Sequence, residues 1–128
     1  MMSRLVTGRI VWADVADPNG YRKLRPAVIV TPTAEMEPTR PIDVVAVTSR
    51  LEDPLPDAYV VLPWHAQGHP RTGLNRRCAA VCNWLARISD ADIKDTGGIV
   101  PAAHLNAILT KIKQALPPNA ADSGEAPA

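Results

Sequence analysis

The sequence predicts a mainly β protein, a small barrel with an added C-terminal α-helix. Three observations predict it. Short apolar, β-branched runs recur, the clearest being Ala27-Val28-Ile29-Val30 and Val44-Val45-Ala46-Val47. Clusters of turn residues separate the runs, above all Asp17-Pro18-Asn19-Gly20 and Asp53-Pro54-Leu55-Pro56-Asp57. A single helical pattern follows, in which Leu105, Ile108, Leu109, Ile112 and Leu116 share one face.

Each element has its own warrant. Residues 5–15 alternate loosely and carry Ile10, Val11 and Trp12, which predicts a first strand with Trp12 in the core. Residues 16–24 hold the Asp-Pro-Asn-Gly turn. Residues 27–31 are apolar almost without a break, the mark of a strand buried on both faces. A proline-bearing loop over 32–41 leads to a strand over 42–48. A short strand is expected over 59–62, then a long irregular loop over 63–75 with His65, His69 and Arg71. A loop of that length often has a function.

Residues 76–88 read as the last long strand. Ser89 caps a short helix that starts at Asp90, and Gly97-Gly98 then breaks the chain. The final helix has Pro101 at its first position and closes the barrel. Lys111 and Lys113 complement its dipole, and Pro117-Pro118 stops it. His104 borders the apolar face as a packing histidine. Residues 117–128 are small and polar and read as a disordered tail, leaving 1–116 as the folded domain. Ala27, Ile29, Val45, Val47, Val61 and Val81 are the expected interior.

At 128 residues and 46% hydrophobic, the chain has room for one domain with a modest core. A net charge of +1 neither demands nor excludes nucleic acid, since a local basic patch is enough to bind it. No apolar run reaches the length of a membrane span. Met1-Met2-Ser3-Arg4 leads straight into a strand-like segment without a signal peptide, so a cytoplasmic location is expected. Cys78 and Cys82 fall on one strand, roughly 13 Å apart at about 3.3 Å per residue. That exceeds the reach of a disulfide and predicts free, buried thiols. His65-x-x-x-His69 and Cys78-x-x-x-Cys82 each have a spacing that zinc accepts. The strand holds the two sulfurs too far apart to share one ion, so no metal and no cofactor are expected.

Arg25 leads into the first apolar run, and Thr48-Ser49-Arg50 leaves the second. If the two strands are neighbours, a guanidinium and two hydroxyls converge at one sheet edge, a donor set that suits a phosphate. The alternative is an exposed arginine before one strand and ordinary turn chemistry after the other.

The stretch from Gly8 to Asp14, the Arg25-Pro26 pair with its strand to Thr31, and the strand from Val44 to Ser49 occur in the order seen in the PemK/MazF family of toxins from toxin–antitoxin systems. Gly73-Leu74 and the segment from Ala79 to Leu85 are similar to that family's later segment. The chain resembles the family over about residues 7–116. The resemblance implies an SH3-like barrel with a C-terminal helix, a two-fold homodimer and a small cognate antitoxin. It implies metal-independent cleavage of single-stranded RNA, mRNA above all. In that chemistry the neighbouring 2′-hydroxyl attacks phosphorus, leaving a cyclic phosphate and a free 5′-hydroxyl. Something must take the proton, stabilise the charged intermediate and protonate the leaving oxygen.

Arg25 and Thr48 match the family's catalytic positions. Tyr21, Lys23, Ser49, Arg50, His69, Arg71, Arg76 and Arg77 are the expected RNA contacts, and an imidazole such as that of His69 is a ready acid or base near neutral pH. Trp64 and Trp84 have faces on which bases could stack, although the core or a dimer interface is the expected place for Trp84. One branch of the family uses an Arg and an Asp around the later Cys as acid and base. Val81 and Asn83 stand there in this chain, and an Asn cannot serve as a base. Tyr21 stands where that branch has a His, and Ala86 where it has a further Arg, with Arg87 next to it. A second reading is therefore a binding module that keeps the fold and the dimer without efficient cleavage. A third, a gyrase poison, is expected to act through C-terminal residues, and the alanine-rich tail offers no aromatic anchor.

Overall fold

The runs predicted as strands pair largely with their chain neighbours. The structure, a computed structural model, describes residues 5–115 apart from Pro18 and Pro38. It contains β1 (Arg9–Ala16), β2 (Arg22–Ile29), β3 (Ile42–Thr48), β4 (Tyr59–Val61), β5 (Ala79–Ile88), β6 (Ile93–Ile99) and the helix α1 (Ala102–Ala115). The sheet runs β4-β5-β3-β2-β1-β6 with every neighbour antiparallel. Leu116, Pro117-Pro118 and the 117–128 tail lie outside the described residues. No described helix is long and apolar enough to cross a membrane.

The central strands are buried on both faces, as the unbroken apolar run of β2 requires. Val28 joins Ile10, Val45, Val47, Leu62 and Ile108 in one cluster, against which Leu105 and Ile112 of α1 pack. Ala27 and Ile29 join Val11, Ala13, Val15, Val44 and Ile88 in the other. Two interiors from one sheet need a curled sheet. The indole of Trp84 on β5 donates to the Ala16 carbonyl at the end of β1 at 3.0 Å, although β3 and β2 stand between these strands.

Backbone bonds help to close the barrel, beside the helix whose Ile108 is buried in the first cluster. Gly98 N–H donates to the Thr72 carbonyl at 3.2 Å and Ile99 N–H to the Arg71 carbonyl at 2.8 Å, which ties β6 to the loop after β4. This corrects the reading of Gly97-Gly98 as a break, because both glycines lie inside β6. A Cβ on Gly98 would collide with the Arg71 carbonyl oxygen and lie 2.6 Å from that of Thr72. The glycine is there to let another backbone come close.

Other boundaries shift for identifiable reasons. β2 begins at Arg22, ahead of Pro26, because its first half pairs with β1 alone. A proline fits a position where the neighbour on one side has ended. β5 begins at Ala79, not at 76. Val60, opposite Ala80, takes the interior place expected of Val61, which is half-buried. Trp12 is 39% exposed, not in the core.

Ser89 and Asp92 form a reciprocal capping box on a single 3-10 turn. Pro101 precedes α1 and its carbonyl accepts the Leu105 N–H at 2.9 Å. His104 is half-buried in the first turn of the helix, with Nδ1 enclosed and without a hydrogen-bond partner. Cys78 and Cys82 are buried and free. Burial pushes both thiols up, Cys82 to about 11.

Gly98→Ala is expected to cost about 3 kcal/mol, the upper end for overpacking, because the opposing atoms are backbone and cannot yield. A Cβ at Gly97 meets nothing closer than 3.5 Å, so Gly97→Ala should cost less than about 1 kcal/mol. Urea unfolding of the two variants measures the difference.

Candidate functional site

The β2–β3 ladder has only three pairs, Ile29↔Val44, Val28↔Val45 and Ala27↔Ala46. Two further steps in the same register would set Arg25 across from Thr48. Pro26 supplies no N–H to continue the ladder, and the strands part there. The parting opens a cavity of about 1080 Å³. Arg25 and Thr48 both line it, with Ser49 and Arg50 beyond the end of β3. Both strands therefore face one cavity where they part.

Arg25 is held from three sides. Its Nε donates to the Val15 carbonyl at 3.0 Å. Its guanidinium carbon lies 4.9 Å from the centre of the Trp84 ring, a cation–π distance. One terminal nitrogen is 3.9 Å from Asp17 Oδ2. Each of these supports is itself fixed. Trp84 is tied by its bond to Ala16. Asp17 Oδ1 accepts the N–H groups of Asn19 and Tyr21, both at 2.9 Å. The Arg25 side chain is only 19% exposed.

Trp84 reaches this place because the β3–β5 register shifts between Val45 and Val47, opposite Leu85 and Ala80. β5 carries extra residues there, and such a bulge re-aims a side chain. Trp84 is thus half-buried against Arg25 and belongs to neither core cluster. Thr48 ends β3, and its Oγ1 accepts the Arg50 N–H at 3.0 Å. The hydroxyl serves the turn as an acceptor and keeps its own proton to donate. Turn chemistry and a place on the cavity are both present at this residue.

The expected RNA contacts divide. Tyr21, 74% exposed, lines the cavity together with Lys23, Ser49, Arg50 and Arg76. His69, Arg71 and Arg77 do not. His69 Nδ1 accepts the N–H groups of Arg71 at 3.1 Å and Thr72 at 3.3 Å. His65 Nδ1 does the same for Gln67 at 3.1 Å. Thr72, buried within the loop, donates its hydroxyl to the Pro63 carbonyl at 2.8 Å. The loop over 63–75 is ordered by its own side chains and serves to close the barrel. Among the described residues, no three His, Cys, Asp or Glu gather where a metal could sit.

Val81 is buried and Asn83 is exposed, and neither lines the cavity. Asp17 and Trp12 line it although their expected places were in a turn and in the core. The only signal for Asp17 was its place in the Asp-Pro-Asn-Gly turn just ahead of Arg25.

The architecture is thus a curled six-stranded antiparallel sheet with one terminal helix, carrying an arginine and a threonine on one cavity beside the parting of two strands. The chain matches the PemK-like, MazF-like toxins of type II toxin–antitoxin systems over residues 7–116, and it belongs to that family. No curated protein matches it. Solved structures share its fold. MazF from Deinococcus radiodurans is 20% identical with a TM-score of 0.69, over 88% of this chain and 96% of that one. Mycobacterium tuberculosis toxin MazF-mt6 is 20% identical with a TM-score of 0.66, over 84% and 94%. A mycobacterial endoribonuclease in complex with its cognate antitoxin is 21% identical with a TM-score of 0.65, over 88% and 97%.

Trp84→Ala is expected to destabilise the fold by about 2 kcal/mol, through a lost hydrogen bond and a void beside Arg25. Trp84→Phe, which keeps the ring, should cost about half of that or less, as read by chemical denaturation.

Proposed function

We propose that this chain is the toxin of a type II toxin–antitoxin pair and a metal-independent endoribonuclease. It cleaves single-stranded RNA at short motifs in the cytoplasm, works as a homodimer and is neutralised by a small antitoxin. The observation that carries the reading is that Arg25 and Thr48 line the same cavity. Membership of the toxin family supports it. So does the fold shared with a protein described as an endoribonuclease bound to its cognate antitoxin.

In this reading Arg25 and Thr48 hold the scissile phosphate. The guanidinium faces the charge that develops on the non-bridging oxygens, and the Thr48 hydroxyl donates to the same phosphate. A donor fixed before the substrate arrives needs little rearrangement in the transition state. Lys23, Arg50 and Arg76 receive the flanking phosphates, with Ser49 as a further hydroxyl. Exposed Tyr21 offers a ring on which an unpaired base stacks. His69, Arg71 and Arg77 lie off the cavity and can meet only RNA beyond the scissile site.

A second reading is a binding module without efficient cleavage. It is favoured by the absence from the cavity of the residues that replace one family branch's acid and base, Val81 and Asn83.

Incubating the purified protein with a long RNA separates the two. Cleavage is expected at a recurring short motif, leaving 2′,3′-cyclic phosphate and 5′-hydroxyl ends. Arg25→Ala should slow it at least about a hundredfold, the scale of losing one such donor. Binding should fall less, because the phosphate contacts are shared among several cations. RNA left intact by the wild type would exclude the nuclease and leave the binding module.

A further inference from the structure

A 2′-hydroxyl becomes a nucleophile only when a group nearby accepts its proton. The cavity narrows the choice. Asp17 is the only carboxylate among the described residues that line it, and no histidine lines it. Cys78 lines it as well, but burial pushes its thiol up, away from the basic thiolate. Asn83 is an amide and stands outside.

The two oxygens of Asp17 are not equivalent. Oδ1 is occupied by the Asn19 and Tyr21 amides, each at 2.9 Å, which fixes the carboxylate plane. Oδ2 is turned towards Arg25, 3.9 Å from its terminal nitrogen. That distance is too long for a hydrogen bond and leaves Oδ2 able to accept one. In RNA the 2′-oxygen sits next to the carbon that bears the 3′-phosphate. A phosphate held on Arg25 therefore brings its own 2′-hydroxyl into the neighbourhood of Oδ2.

We propose that Asp17 is the general base of the cleavage, an assignment that rests on the ribonuclease reading above. The 2′-oxygen gives its proton to Asp17 Oδ2 and forms the new bond to phosphorus. The P–O5′ bond breaks, and O5′ takes a proton from a solvent water. The hydroxide formed takes the proton back from Asp17, so the carboxylate is regenerated and water is neither gained nor lost.

Asp17→Asn tests this with little disturbance, because the amide keeps an oxygen to accept the Asn19 and Tyr21 N–H groups. Its kcat on RNA should fall at least about a hundredfold, the range for losing a general base. KM, and the affinity for an all-2′-deoxy strand of the same sequence, should stay within about threefold. Asp17→Glu keeps a carboxylate and should recover part of the rate. A kcat within threefold of wild type for Asp17→Asn overturns the assignment. So does a parallel fall in rate and deoxy-strand affinity, which would make Asp17 only a support for Arg25. A wild type that cleaves nothing is a different result: it removes the ribonuclease reading, and the base with it.

Discussion

The site depends on the early end of the β2–β3 ladder. Three residue pairs hold these strands, and the next residue of β2 is Pro26. On one side of that point Ala27, Val28 and Ile29 are packed on both faces and cannot move without disturbing two apolar clusters. On the other side the strands part and leave room for a ligand. Continued two steps past Ala27↔Ala46, the same register would bring Arg25 level with Thr48, and both residues line the cavity. A rigid element thus ends directly against the polar groups that need to be held in place.

The restraint on Arg25 has several parts of unequal weight. The ion pair with Asp17 is long and partly exposed, and contacts of that kind contribute at most about 1 kcal/mol. The bond to Val15 is shorter, and the cation–π contact with Trp84 contributes roughly 0.5–2 kcal/mol. Together they reduce the rotamer freedom of a long side chain, the main cost of using arginine in a site. The price is paid in the register of β5, which carries extra residues opposite β3 so that Trp84 can reach the guanidinium.

Much of the fold was legible in the sequence. The run over 27–31, the strand over 42–48, the Ser89 cap and the amphipathic face of α1 each announce themselves by one local pattern. What escaped depends on distant chain. Gly97-Gly98 looks like a break because glycine is intrinsically permissive, and only the Arg71–Thr72 backbone against Gly98 shows why it sits in a strand. Trp12 and Trp84 look like core residues because large aromatics are usually buried, and only the parting of β2 from β3 places them at a cavity. Arg25 and Thr48 could be singled out because each stands at the polar end of an apolar run. Asp17 could not, because an Asp before Pro-Asn-Gly has a sufficient explanation as a turn former.

The central claim is that Arg25 and Thr48 receive one phosphate between them. A crystal structure with a short single-stranded oligonucleotide, 2′-deoxy at each candidate cleavage position, tests it most directly. The account predicts a backbone phosphate whose non-bridging oxygens accept hydrogen bonds from the Arg25 guanidinium and the Thr48 hydroxyl. A strand bound with no phosphate at that pair, its backbone running over another face of the barrel, would contradict it.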